Sequence, residues 1–323
     1  MHIMKYQNFI NSQLNNKNVY INDEIRAHDI LSIRIKNNTI ESVKFSRVHP
    51  QRKEQFLALI TDVLTQHTLS DGYVNINVED HPKKGVLNFC RLVGNHSGFL
   101  IPNHRFADND ISISNNTPHI SKHDDVVRFF VDQNAAHSFK YKIPKVFANG
   151  VLAYGVRKQF VIYALDNPDV CDFYAYKHPT HKYGGQGFDA ATLHRILKDG
   201  KGGEVTQPFE ASNQYKYVLY LEGNTLSDRR RLILMLNSVP IVLKSKWEEF
   251  YTHALIPHEH YIPCERVADL QGIVKRLESE PDKSMAIIEN NRRFVRDMLS
   301  YVDVTNYTAA LLNGLLTTTT TNS

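Results

Sequence analysis

The sequence predicts an α/β protein of two facing domains, and three observations carry that. Short apolar segments alternate with segments of helical period, which implies parallel sheet with helices on both faces. The alternation runs twice, and the two runs meet near residues 137–143. The chain is also long enough: 323 residues, 42% hydrophobic and 22% charged, sustain one large or two medium cores.

Residues 31–45, LSIRIKNNTIESVKF, alternate apolar and polar around Asn37-Asn38 and read as a hairpin. Pro50 opens a helix to residue 66, with Phe56, Ile60, Val63 and Leu64 on one face. Tyr73 to Val78 is a strand ending at Glu79-Asp80-His81-Pro82, and Gly98 to Pro102 is the next. A helix follows at about 123–136, after the polar stretch 103–118. In the second run, strands at 145–148, 170–174, 217–221 and 240–244 alternate with helices at 156–165 and 228–237. A short aromatic helix is expected from Trp247 to Tyr251, then a strand near His260-Tyr261-Ile262. Helices at about 266–279, 282–300 and 304–316 close the chain, the last placed to cross back to the first domain. The Thr-rich residues 317–323 read as a disordered tail.

Several function classes are excluded. No run reaches the ~20 apolar residues that span a membrane, and MHIMKYQNFINSQLNN lacks the apolar core of a secretory signal. Cys90, Cys171 and Cys264 are far apart and odd in number, with neither disulfide nor zinc spacing, so a cytoplasmic protein is expected. A net charge of +4 does not call for nucleic acid. No Gly-x-Gly-x-x-Gly, phosphate-binding Walker loop, Gly-x-Ser-x-Gly or His-Glu-x-x-His occurs.

Three constellations can carry chemistry. In Tyr217-Val-Leu-Tyr-Leu-Glu-Gly223-Asn224-Thr-Leu-Ser227-Asp-Arg229-Arg-Arg231, an apolar strand meets a Gly-Asn turn and a helix start bearing three arginines. Cations are disfavoured at a helix N-terminus by ~0.3–1 kcal/mol each. Either they turn away into solvent or an anion sits there. Free backbone N–H groups, the Ser227 hydroxyl and Arg229 suit a phosphate or diphosphate. The same residues also read as a solvated basic turn with Ser227 as N-cap and Asp228 neutralising Arg230 or Arg231. The second constellation, Ala148-Asn149-Gly150 to Arg157, repeats the strand, glycine turn and arginine, and would bring Arg157 to the sheet edge that holds Arg229. The third is Asp80 at a strand end, placed to serve as a general base or simply to form an Asp-x-Pro turn. Asp108-Asn-Asp110 spells a metal-binding pair or, more simply, a polar turn.

In this order the segments resemble glycosyltransferase family 90, which holds Rumi-type protein O-glucosyltransferases, fungal capsule xylosyltransferases and lipopolysaccharide-modifying enzymes. Asn75 to Pro82 resembles the family's strand ending in Asp-aromatic-Pro, with His81 in the aromatic place, and Pro102 to Phe106 resembles its Pro-Asp-x-x-Phe. Phe147 to Arg157 resembles the Phe-Arg-Gly turn, with Asn149 in place of arginine. Lys216-Tyr217, Gly223, Ser227 and Arg229 fall at the family's spacing, as do Trp247 to Tyr251, Leu255, Pro257, His260-Tyr261, Pro263 and Phe294-Val-Arg296.

The resemblance implies a GT-B architecture of two Rossmann-like domains with a C-terminal helix returning to the first. Residues 1–140 would form the acceptor side, 141–283 the nucleotide-sugar domain and 284–316 the returning helices. It implies inverting, metal-independent transfer of xylose or glucose from a UDP-sugar to a glycan hydroxyl, with no cofactor. Asp80 would be the base, and Gly150, Arg157, Gly223, Asn224, Ser227 and Arg229 would bind the donor. A non-catalytic anion- or glycan-binding protein on the same fold is the alternative, and a metal-dependent transferase using Asp108 and Asp110 a further one.

Overall fold

The computed structural model describes residues 6–15, 20–27, 29–44, 49–94, 98–107, 122–151, 155–176, 188–203, 209–223 and 225–318. After helix α1 (Gln7–Leu14), strands β1 (Ile30–Lys36) and β2 (Thr39–Lys44) form the expected hairpin, and Asn37 and Asn38 both take the positive φ its turn requires. Helix α2 (Pro50–Gln66) buries Phe56, Leu59, Ile60 and Val63. Then come β3 (Gly72–Asn77), β4 (Leu87–Asn88), β5 (Arg91–Leu92), β6 (Phe99–Leu100) and α3 (His123–Ala136). The first sheet runs β2-β1-β3-β4-β6, with the hairpin antiparallel and β3, β4 and β6 parallel.

The second unit holds β7 (Ile143–Gly150), α4 (Gly155–Asp166), β8 (Cys171–Tyr176), α5 (Ala190–Lys198), β9 (Gly202–Gly203), β10 (Tyr215–Tyr220) and α6 (Arg229–Ile233). It continues with β11 (Val239–Leu243), β12 (Trp247–Glu248), β13 (Ile262–Cys264) and α7 (Leu270–Ser279). Its sheet is fully parallel in the order β13-β11-β10-β7-β8-β9. The chain enters at β7, moves outward to β9, then crosses to β10 and moves the other way. The order reverses between β7 and β10, and ligands of such sheets bind at the carboxyl ends beside that reversal. Strand β10 shows why its sequence is a continuous apolar run. Val218 and Tyr220 face the core shared with the first unit, while Tyr217, Leu219 and Leu221 face a second core under α4 and α7.

Helices α8 (Pro281–Met298) and α9 (Tyr301–Thr318) finish the chain, and α9 packs on α1, α2 and β3. A closed hydrogen-bond triangle pins it: Gln13 donates to the Tyr307 hydroxyl (2.6 Å), Tyr307 to the Leu100 carbonyl (2.7 Å), and the Leu100 N–H to Gln13 (2.6 Å). Gly314 permits the close approach, since a Cβ there would fall 2.4 Å from Leu14. Two α/β units with a terminal helix returned to the first make the GT-B architecture.

Four local expectations are revised. The helix expected at 228–237 spans only Arg229–Ile233, because Leu234 to Ser238 tighten into turns before β11. The aromatic segment at 247 is no helix: Trp247 and Glu248 pair antiparallel with Leu92 and Arg91, and the Arg91–Glu248 ion pair (2.5 Å) lies beneath, so β12 and β5 join the two units. Helix α5 has no counterpart among the expected elements. The last helix runs through Thr317 and Thr318, past the expected end at 316, because the Thr317 hydroxyl donates to the Asn313 carbonyl (2.7 Å) within the helix.

Candidate active site

The two glycine–arginine turns follow β7 and β10, the strands on either side of the order reversal. Each arginine lies against the other turn's glycine. A Cβ on Gly150 would sit 3.2 Å from Arg229 Nη1, and one on Gly223 would sit 3.4 Å from Arg157 Nη2. Gly150 also holds φ +139°, which side-chain-bearing residues rarely adopt. Arg157 donates to the carbonyls of Glu222 (2.6 Å), Val151 (2.9 Å) and Leu221 (3.3 Å), tying the turns together. Arg229 Nη1 donates to the Asn149 carbonyl and side-chain oxygen, with its guanidinium 5.9 Å from the Phe209 ring centre. Asn149 therefore holds Arg229 in place. Its own Nδ2 is buried with no hydrogen-bond partner among the described residues.

The neighbouring arginines turn out differently from expectation. Both are interior, and the anions near them are the protein's own carboxylates, Glu249 and Glu222 for Arg230 and Asp228 for Arg231. Arg230 is buried, donates to Ser245 Oγ (2.8 Å) and lies 4.2 Å over the Tyr220 ring. Arg231, 1% exposed, meets His123 Nδ1 at 3.1 Å and lies 5.2 Å over Phe106. Burial and then Arg231 depress His123 to about 3, so the neutral ring accepts from Arg231 and donates through Nε2 to the Leu299 carbonyl (2.6 Å). Ser227 does not cap the helix; Asp228 occupies that place and makes no capping bond. Its carboxylate instead accepts from Asn103 (3.1 Å) and Arg105 (3.3 Å) of the first unit. Burial opposes its ionisation, but His104, Arg105, Arg231 and Arg52 outweigh that and hold its pKa low. A five-residue helix also has little dipole, so the positive potential here comes from guanidiniums. Asn224, Asp108 and Asp110 lie outside the described residues.

Asp80 sits in the bend after β3. Asn77 donates to the carbonyls of Glu79 (3.3 Å) and His81 (2.7 Å) and to Asn88 Oδ1 (3.0 Å), and accepts from the Glu79 N–H (3.1 Å). Asn88 accepts from the Lys83 N–H (2.8 Å) and donates to the carbonyls of Lys83 (2.9 Å) and Val86 (3.0 Å). Arg52, from the first turn of α2, reaches Asp80 Oδ1 (2.9 Å) and the Val78 carbonyl (2.8 Å). Asn77, Asn88 and Arg52, which hold this bend, were not singled out from the sequence. The signal for the asparagines was a pair of polar residues inside otherwise apolar strands; Arg52 had none, because nothing local ties residue 52 to residue 80.

The two sides meet across Cys90. Its thiol donates to the Asp80 carbonyl at 3.4 Å and also faces Thr225 and Leu226 of the second unit's turn, while burial raises its pKa to about 12. Through Cys90, Asp80 is linked to Thr225 and Leu226 of the second unit's turn, and burial pushes the neighbouring Glu249 carboxyl up to about 7. Among the described residues no cluster of three or more His, Cys, Asp or Glu side chains can hold a metal ion, and no helix is long and apolar enough to cross a membrane.

The chain is similar in part to several known proteins. The human Protein O-glucosyltransferase 1 is 28% identical over 101 residues, 31% of this chain and 26% of that protein, so the match spans about a quarter of the relative. Uncharacterized protein 179R of Invertebrate iridescent virus 6 is 24% identical over 113 residues, 32% of this chain and 9% of that one. Among solved structures, Anabaena Alr3699/HepE in complex with UDP and glucose superposes with a TM-score of 0.39 at 12% identity, covering 70% of this chain and 57% of that one. The model of the glycosyl transferase family 90 matches residues 20–317, nearly the whole sequence. The chain belongs to glycosyl transferase family 90.

Proposed function

We propose that the protein is an inverting glycosyltransferase that moves glucose or xylose from a UDP-sugar to a hydroxyl of a glycan, without a metal. One observation carries this reading: Arg157 and Arg229 each pack on the other turn's glycine at the sheet's order reversal, and Cys90 links Asp80 to that turn at Thr225 and Leu226. Two guanidiniums suit the two phosphoryl groups of a diphosphate, and Asn149 Nδ2 adds a donor beside them. Gly150, Gly223, Ser227 and Asn224 complete the donor turns.

In the reaction, Asp80 takes the proton of the acceptor hydroxyl as its oxygen attacks the anomeric carbon. The bond from that carbon to the β-phosphate oxygen breaks, and the electron pair leaves with UDP. Arg157 and Arg229 neutralise the developing charge, as preorganised donors do best in a site closed to water. Glucose is favoured among donors by the name of the human relative, and the three buried free thiols favour a cytoplasmic acceptor.

Calorimetric titration with UDP, with chelator present, tests the donor site. Binding is expected in the wild type and its loss in Arg157→Ala and Arg229→Ala. Wild-type affinity in both variants would move the donor elsewhere.

A further inference from the structure

We propose that Arg52, with the Asn77–Asn88 pair, positions Asp80 as the base; the inference rests on the reading of Asp80 given above. A carboxylate on an exposed bend would sample several rotamers and backbone states, and a base must be held within hydrogen-bond reach of its proton. The Glu79–Lys83 bend is held at both ends by side chains that are themselves nearly inaccessible, Asn77 at 1% and Asn88 at 2% exposed. Their two amides make seven hydrogen bonds between them, six of them to the backbone of the bend and its return into β4. Gly98 makes room for this knot, because a Cβ there would fall 2.3 Å from Asn88 Nδ2 and 2.6 Å from the Lys83 carbonyl.

Arg52 completes the arrangement at the side chain. One of its nitrogens, Nη1, donates to the Val78 carbonyl and forms an ion pair with Asp80 Oδ1 at 2.9 Å, so backbone and carboxylate are referred to the same atom. The guanidinium is steadied 5.5 Å over the Phe89 ring, beside Asn88. Arg52 thus engages the carboxylate through Oδ1, and the Asp80 side chain keeps 36% of its surface exposed. Arg52 also lies within electrostatic reach of Asp228, the residue before Arg229, so one cation faces carboxylates from both units. Arg52 touches no reacting atom and acts through Asp80.

The test measures UDP release from UDP-glucose and UDP-xylose in wild type, Asp80→Asn, Arg52→Gln and Arg52→Lys, with UDP affinity and Tm recorded for each. Arg52→Gln is expected to lower kcat by about 10- to 100-fold, the scale of a misplacement near 1 Å, with UDP affinity and Tm close to wild type. Arg52→Lys, which keeps a cation without the planar fork, is expected to recover part of kcat. In the Asp80→Asn background, Arg52→Gln should change the residual rate no further, since the two act as one unit. Unchanged kcat in Arg52→Gln, beside an inactive Asp80→Asn, overturns the positioning role alone. So does a loss that follows Tm or UDP affinity, or one that persists in the Asp80→Asn background. Should Arg52→Gln not fold, Arg52→Lys decides by the same readings. An active Asp80→Asn enzyme, or a wild type that releases UDP from neither donor, overturns the reading of the site and this inference with it.

Discussion

The two sides of the candidate site are fixed by opposite means. On the first unit's side, neutral amides of Asn77 and Asn88 hold the bend, and among the described residues Arg52 is the cation paired with Asp80. On the second unit's side, the guanidiniums of Arg157 and Arg229 are themselves the ties, packed on glycines and bonded to carbonyls. Under the proposed function the difference follows from what each side would hold. Many cations round a carboxylate would weaken it as a base, whereas a turn that receives a diphosphate gains from every cation placed there.

The largest effect that could break this contrast is on Asp80. Asp80→Asn is expected to lower transfer by about 10²–10⁴-fold, the range of a general base, while UDP still binds. Rate and calorimetry on one preparation check it. Gly150→Ala should come next. A methyl at φ +139° and 3.2 Å from Arg229 Nη1 strains the backbone and displaces the guanidinium. We expect UDP affinity to fall about tenfold or more, on the scale of a charge-assisted bond worth ~1.5–3 kcal/mol. Gly223→Ala, without a positive φ and against Leu226 O and Arg157, should lose less, and equal losses would show that the two turns are not graded.

Arg231→Ala sharpens the comparison within one run of sequence. Its side chain is interior, so the expected outcome is a lower Tm, with the loss of a buried charged hydrogen-bonding group on the order of 3 kcal/mol. UDP affinity of the folded protein should stay near wild type. A fall in affinity without a fall in Tm would place Arg231 with Arg229 in the donor site.

The last effect is on pH. His104 and His123 are each depressed by burial to about 3, while in the unfolded chain they protonate near 6.5. Between these values the unfolded chain binds more protons, so stability falls as the pH drops from about 6.5 toward 3. Tm measured across that window should decline, and His123→Gln should flatten part of the slope. An unchanged slope would mean that His123 already takes a proton in the folded protein.

The residues that the sequence singled out carry different weights in the structure. Gly150, Arg157, Gly223 and Arg229 were legible because strand, glycine and arginine lie within one short segment, and the topology then brought both segments to the same edge. Asp228 was read as neutralising Arg230 or Arg231; it does interact electrostatically with Arg231, and it also accepts from Arg105 and Asn103 of the first unit. Ser227 lost the capping role read for it because the helix starts at Arg229 and puts Asp228 at the cap position.

The sequence by itself determined the alternation of elements, the hairpin at Asn37-Asn38 and the placing of glycines and arginines after two strands, because those signals are local. Backbone conformation and side-chain period act over a few residues. Only the tertiary structure decided that β7 and β10 are neighbours, that Trp247 pairs with Leu92, and that two of three consecutive arginines are interior. It alone brought Arg52 to Asp80 and Arg229 to Gly150. Such contacts join residues tens of positions apart, and they are set by how sheets and helices stack rather than by any period along the chain.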